Sequence, residues 1–223
     1  VVPGFSQIRA PTKNCAEAVK FACRTSQQLA SATPPDAMLD LSHRFAKFIV
    51  QSQTQGYDGL DVDMVMAVHL MTQHNSVKFG RRFNDALRNP NRELLKPFES
   101  YFFYLLRALK YLLDARTAMG QANDPLFKRV ILDNVEETYK QGETVTWWGA
   151  CSCLPQVPPT DSNTAATAGR QTVIFRIESI TAVEVTRFSA AKHDREFMLF
   201  PGTQLKVVSV AKMFGASFEV RLQ

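Results

Sequence analysis

The chain has 223 residues, 45% of them hydrophobic and 21% charged, which is ordinary for a soluble globular protein and enough for one large or two small domains. No apolar run approaches the ~20 residues needed to span a membrane, and no secretory signal opens the chain, which begins Val1-Val2 and leaves room for a removed leader or upstream domain. A net charge of +5 suits a phosphorylated dinucleotide, an acidic protein or a nucleic acid, but no basic-aromatic interleaving of the kind that stacks bases supports the last.

In chain order, Asn14 is placed to cap a helix running to about Ala32, with Ala18, Phe21, Ala22 and Leu29 at helical spacing. Pro34-Pro35 ends it. A second helix is expected from Asp36 to about Gln53, burying Leu39, Phe45, Phe48 and Ile49. Asp61 caps a third, with Met64, Val68 and Met71 on one side as core residues. Asp58, Asp61 and Asp63 lack the turn glycine and closing glutamate of a calcium loop. A fourth helix covers Val77 to Arg88, with Phe79, Phe83, Ala86 and Leu87 in one stripe. Its basic residues, with Lys78 and Arg92, read as a solvated face first and a phosphate or partner surface second. The fifth helix starts near Pro97 and carries Phe98, Phe102, Leu105, Leu106, Leu109 and Leu112, the expected hub of the helical half. His43, His69 and His74 show no partner pattern and read as structural.

From about Pro125 the period becomes strand-like. Strands are expected over Leu126–Leu132, Glu143–Ser152, Thr172–Ser179, Glu184–Arg187, Glu196–Phe200, Gln204–Ser209 and Ser217–Leu222, with a short helix or turn over Asp133–Lys140. Helices first and strands afterwards predict an α+β fold. Trp147 and Trp148 point to opposite faces, one toward core and one toward a cleft. The four cysteines include Cys151 and Cys153, which face away from Ser152 in a strand. A Cys-x-Cys pair could recruit His193 to zinc, but the spacing fits no zinc signature, so all four read as small buried thiols, and no metal is expected. Their pattern favours a reducing compartment, the cytoplasm or the inside of a host cell.

The most informative stretch runs from Phe188 to Thr203. Asp194 and Glu196 stand two apart before four large apolar residues and a Pro-Gly-Thr turn. In extended chain they share a face at the mouth of a buried strand. Two acids held there cost electrostatic energy, so chemistry is one reason for them and a solvated turn the other.

This stretch resembles the acidic turn of the mono-ADP-ribosyltransferases, where a Glu or Gln, any residue and then the catalytic Glu precede a short apolar strand. Two upstream segments match the same family in order and interval. Leu126-Phe127-Lys128-Arg129-Val130-Ile131 resembles its arginine strand, and Thr144 to Cys153 resembles its serine strand, with Ser152 at the first serine. Asp61 to Asn75, Phe83-Asn84-Asp85-Ala86-Leu87-Arg88, Leu95 to Leu112 and Tyr139-Lys140-Gln141-Gly142 resemble further family segments, so residues 59 to 212 are covered. The intervals from Arg129 to Ser152 and from Ser152 to Glu196 resemble those of the arginine-serine-glutamate branch, which implies an arginine-specific enzyme. Asp194 is shorter than the usual Glu, Ser-Cys-Leu stands for Ser-Thr-Ser, Val130 replaces a Gly, and residues 155–170 lack the usual aromatic.

The resemblance implies a helical N-terminal half packed on a mixed, mainly antiparallel two-sheet core. It implies a helical extension over 1–58 and a catalytic domain over 59–223, with a helical lobe at 59–120 and a β core at 125–223. It also implies transfer of ADP-ribose from NAD to a protein side chain, arginine first, with nicotinamide released and water as a lesser acceptor. Glu196 would stabilise the charge developing on the ribose, Ser152 would hold Glu196, and Asp194 would meet the acceptor. Arg129 would bind the diphosphate, with Val130, Ser152 and Glu196 also at the NAD site. The alternative is a degenerate member of the fold that binds a peptide or partner without turnover.

Overall fold

The structure is a computed structural model that describes residues 10–25, 36–52, 58–73, 79–120, 124–158, 170–179, 181–191, 195–213 and 217–223. Helix α1 (Cys15–Thr25) opens with a reciprocal cap. The Glu17 N–H donates to Asn14 Oδ1 at 2.9 Å, and the Asn14 N–H returns to Glu17 Oε2 at 3.2 Å. The expected continuation past Thr25 lies outside the described residues. Helix α2 (Asp36–Gln51) buries Leu39, Ser42 and Ala46 along one line. That line turns Phe48 outward, 66% exposed, contrary to the sequence expectation. Phe45 instead stacks on His69, with ring centroids 4.3 Å apart.

Helix α3 (Val62–Met71) starts at Asp61, whose side chain accepts the Met64 N–H at 2.8 Å. Residues 64 to 70 are all buried, so α3 runs through the helical half rather than along it. Helix α4 (Phe79–Arg88) buries the expected stripe. A 3-10 helix over Arg92–Phe98 leads into α5 (Glu99–Ala118). Phe79 and Phe83 meet Tyr101 edge-on at 4.8 and 5.1 Å, and Phe83 meets Phe102 at 5.3 Å. The Tyr101 hydroxyl donates to the Ala67 carbonyl at 2.9 Å, so this aromatic knot leaves no polar handle idle.

Two sheets follow. In the first, of five strands, the order is β1 (Leu126–Leu132), β4 (Gln171–Ile177), β8 (Ser217–Leu222), β7 (Thr203–Lys212) and β2 (Thr144–Trp147). Only β4 and β8 run parallel. The second sheet has three strands in the order β3 (Cys151–Cys153), β6 (Phe197–Leu199), β5 (Val183–Glu184), all antiparallel. A short helix α6 (Val135–Thr138) joins β1 to β2. This is the α+β, two-sheet arrangement expected.

The expected strand Glu143–Ser152 is two strands in two different sheets. Asn84 on α4 explains the break. Its side chain donates to the Ala150 carbonyl at 3.0 Å and accepts the Ala150 N–H at 2.9 Å, replacing ladder bonds. Gly149 passes so close that a Cβ there would lie 2.9 Å from Asn84 Oδ1. The expected strand over Glu184–Arg187 ends after Glu184, where Thr186–Phe188 turns as a 3-10 helix.

One apolar core joins α1 to α5 with Val183, Val185, Phe188 and Met198 of the strand half. A second fills the space between the sheets, from Leu126 and Val173 to Leu199 and Leu222. The helices on both sides of residue 58 therefore share one core. No described helix is long and apolar enough to cross a membrane.

Candidate active site

Three of the residues singled out from the sequence come together where the two sheets meet. Strand β1 reaches across to β3 through paired backbone bonds, the Phe127 N–H to Leu154 O at 2.7 Å and the Leu154 N–H to Phe127 O at 2.9 Å. Lys128 adds a third tie, its Nζ donating to the Ser152 carbonyl at 2.8 Å. These ties bring Arg129 on β1 beside Ser152 on β3. Ser152 in turn faces β6, pairing with Met198, one residue past the start of that strand.

Glu196 sits just before β6 and is 1% exposed. Its backbone is pinned at both ends: its N–H donates to Thr186 Oγ1 at 2.9 Å and its carbonyl accepts the Val185 N–H at 2.8 Å. A carboxylate in such a place needs partners, because burying an unpaired charge is costly. It has them. Ser152 Oγ donates to Oε1 at 2.5 Å, and Ser189 Oγ donates to Oε2. Ser189 is fixed by the Ala191 N–H, which donates to its Oγ at 2.9 Å. The Ala190 N–H donates to Thr72 Oγ1 at 2.9 Å, tying this loop to the end of α3.

Arg129, Ser152 and Glu196 line one cavity of about 200 Å³ with Phe127, Lys128 and Ala191. Arg129 Nε and Nη1 are buried there without a partner among the described residues. Buried guanidinium donors without partners are costly, so an anion in the cavity would satisfy them. The Val130 side chain points elsewhere. It lines a larger cavity of about 370 Å³ with Arg88, Trp147, Trp148, Tyr139 and Cys151. Strand alternation separates it from Arg129. Both tryptophans reach this second cavity, where one core and one cleft residue were expected. Trp147 packs edge-on against Phe175 at 5.0 Å, and Trp148 lies under the Arg92 guanidinium at 4.9 Å.

Asp194 and His193 lie outside the described residues, so the two-acid face is not part of this geometry. Arg195, between the two acids, donates through Nη2 to Glu184 Oε2 at 2.8 Å and holds that carboxyl below its ordinary range. Ser189 carries no signal of its own in the sequence, and Thr72 appears there only in the Met71-Thr72 pair that ends the family-like helix, with nothing to tie it to the acidic loop. A serine seven residues before Glu196 meets it only because the intervening loop folds back. Among the described residues, no group of His, Cys, Asp and Glu is placed to hold a metal ion.

A family model described as NAD:arginine ADP-ribosyltransferase matches residues 23–223. A search of curated proteins found no match. Among solved structures, the chain resembles the ADP-ribosyltransferase HopU1 of Pseudomonas syringae pv. Tomato DC3000, at 15% identity and a TM-score of 0.68 over 96% of this chain and 98% of that one. It also resembles a variant of the eukaryotic mono-ADP-ribosyltransferase ART2.2 crystallised with NADH, at 15% identity and a TM-score of 0.60 over 94% of this chain and 82% of that one. A third is the ADP-ribosyltransferase toxin Vis, from Vibrio splendidus, in complex with agmatine, at 12% identity and a TM-score of 0.55 over 85% of each chain.

Proposed function

This chain belongs to the NAD:arginine ADP-ribosyltransferase family, and on that premise we propose that it moves ADP-ribose from NAD to an arginine side chain of a protein, releasing nicotinamide. One observation carries the reading: the buried Glu196 carboxylate, held by Ser152, shares a cavity with the unpartnered guanidinium donors of Arg129. NAD supplies two phosphates and the nicotinamide–ribose bond, whose cleavage leaves positive charge developing on the ribose.

Each residue then has a role its chemistry suits. Arg129 offers a planar fork of donors to the diphosphate, a fit that lysine would not reproduce. Glu196 presents its carboxylate to the ribose and an oxygen to its 2′-hydroxyl, and the attraction of a preorganised group of this kind grows as the opposite charge develops on the ribose. Ser152 and Ser189 each take one carboxylate oxygen, so Glu196 does not reorganise at the moment of reaction. Val130 contributes its backbone, since its side chain lines the other cavity. Asp194 orients the acceptor guanidinium. The agmatine held by Vis carries the same guanidinium group, which supports arginine as the acceptor. We read 59–223 as the catalytic domain, with a role as an effector or toxin delivered into another cell.

The deciding experiment measures nicotinamide release and labelling of a crude protein acceptor in parallel. Glu196→Gln should fold normally and lose both by ~10²-fold or more. Asp194→Ala should lose protein labelling while nicotinamide release into water persists. Full activity in Glu196→Gln with an unchanged melting curve would overturn the catalytic assignment. No NAD turnover in the parent would favour a partner-binding module.

A further inference from the structure

Glu196 stands one residue before β6, where the ladder with β5 has run out. The paired residues end with Glu184 opposite Phe197, and the chain beyond β5 turns away as the 3-10 helix Thr186–Phe188. The Val185 N–H still reaches the Glu196 carbonyl at 2.8 Å. The Glu196 N–H has lost its ladder carbonyl, and a buried N–H needs a partner. The Thr186 hydroxyl takes the place of that carbonyl, accepting the N–H at 2.9 Å.

A threonine hydroxyl has a single proton to give. Two acceptors stand near it, Glu184 Oε1 at 3.1 Å and the Glu196 carbonyl at 3.5 Å. The carboxylate is nearer and charged, so it takes the proton and leaves a lone pair of the hydroxyl turned to the Glu196 N–H. Glu184 is itself held. Its Oε2 accepts Arg195 Nη2 at 2.8 Å, and the Arg195 guanidinium lies 5.4 Å from the centre of the Phe197 ring. One carboxylate thus grips residue 195 directly and residue 196 through Thr186.

We propose that Thr186 and Glu184 are positioning residues that aim the Glu196 carboxylate into its cavity, Thr186 directly and Glu184 through Thr186, with Arg195 holding Glu184 in place. The proposal rests on the reading of Glu196 as the group that meets the ribose. Ser152 and Ser189 fix the two carboxylate oxygens, but a side chain is aimed only as well as the backbone that carries it. Here that backbone is set by a chain of hydrogen bonds that ends at the surface, where the Arg195 and Glu184 side chains are 62% and 42% exposed. An exposed ion pair of this kind adds little to stability. Positioning and stability therefore separate: loss of Glu184 should change turnover far more than melting.

The test measures kcat and KM for NAD by nicotinamide release from the full chain, alongside melting curves and hydrogen exchange at the Glu196 amide followed by NMR. Thr186→Val removes the acceptor at nearly constant volume. It should lower kcat about tenfold or more and leave KM within about twofold. It should also speed exchange at the Glu196 amide by about tenfold or more, and Thr186→Ser should restore most of both. Glu184→Ala alters an exposed side chain, so it decides the matter even if Thr186→Val folds poorly. It should lower kcat about threefold or more and speed exchange at Glu196, with Tm almost unchanged. Because Glu184 acts through Thr186, adding Glu184→Ala to Thr186→Val should lower kcat no further. Unchanged kcat and exchange in either variant, or additive losses in the double variant, would overturn the proposal. In a parent that releases no nicotinamide the transferase reading fails, and exchange at Glu196 alone decides the positioning: faster in both variants upholds it, unchanged overturns it.

Discussion

At the scale of the residue, the site turns on how one buried carboxylate is satisfied. Glu196 is 1% exposed and each of its oxygens meets a serine hydroxyl. Ser152 was legible in the sequence because it sits in a segment resembling a known serine strand. Ser189 was not, since no period or motif marks it. Removing a hydroxyl from Ser189 leaves an oxygen of Glu196 unsatisfied, at about 1–3 kcal/mol of stability. It also frees the carboxylate to swing, and misplacing a reacting group by an ångström can cost ~10²-fold in rate. Ser189→Ala should therefore lower kcat strongly with little change in KM, and Ser189→Thr, which keeps the hydroxyl, should restore most of it. Equal kcat in Ser189→Ala and the parent would reduce Ser189 to a structural residue.

At the scale of the element, helix α4 decides where the β-chain breaks. The motif Phe83-Asn84-Asp85-Ala86-Leu87-Arg88 was visible in the sequence, and so was the apolar stripe that buries α4. The task of Asn84 was not visible. Its side chain bonds both backbone groups of Ala150, 66 residues away, and so diverts the chain from β2 in one sheet to β3 in the other. A continuous strand from Glu143 to Ser152 was the natural reading, because local alternation cannot report a partner that distant. Asn84→Ala removes both bonds and should cost about 2 kcal/mol in urea unfolding. Asn84→Asp keeps an acceptor for the Ala150 N–H but loses the donor to its carbonyl, so it should fall between Ala and the parent. An Ala variant as stable as the parent would mean the break is set elsewhere.

At the scale of the whole molecule, helices and strands share an apolar core. The helical core includes Val183, Val185, Phe188 and Met198 from the strand half, and Thr72 at the end of α3 fixes the loop beside Glu196. Both tryptophans, Trp147 and Trp148, lie in the strand half. Thermal unfolding followed by tryptophan fluorescence should therefore coincide with unfolding followed by helical circular dichroism, as a two-state transition requires. Two separated transitions would show that the helical half unfolds on its own.

What the sequence by itself determined is what local chemistry determines. The caps at Asn14 and Asp61, the stripe of Phe79, Phe83, Ala86 and Leu87, and the alternation of the strands follow from periods of 3.6 and 2 read within a few residues. The order of arginine, serine and glutamate segments pointed to a family because order is itself a one-dimensional property. Tertiary structure alone decided the rest. It turned Phe48 to the surface, split the serine strand, and brought Ser189 and Thr72 to the acidic loop. Each of these depends on contacts between residues far apart in the chain, and a carboxylate, a thiol or a guanidinium takes its character from such neighbours rather than from its own type.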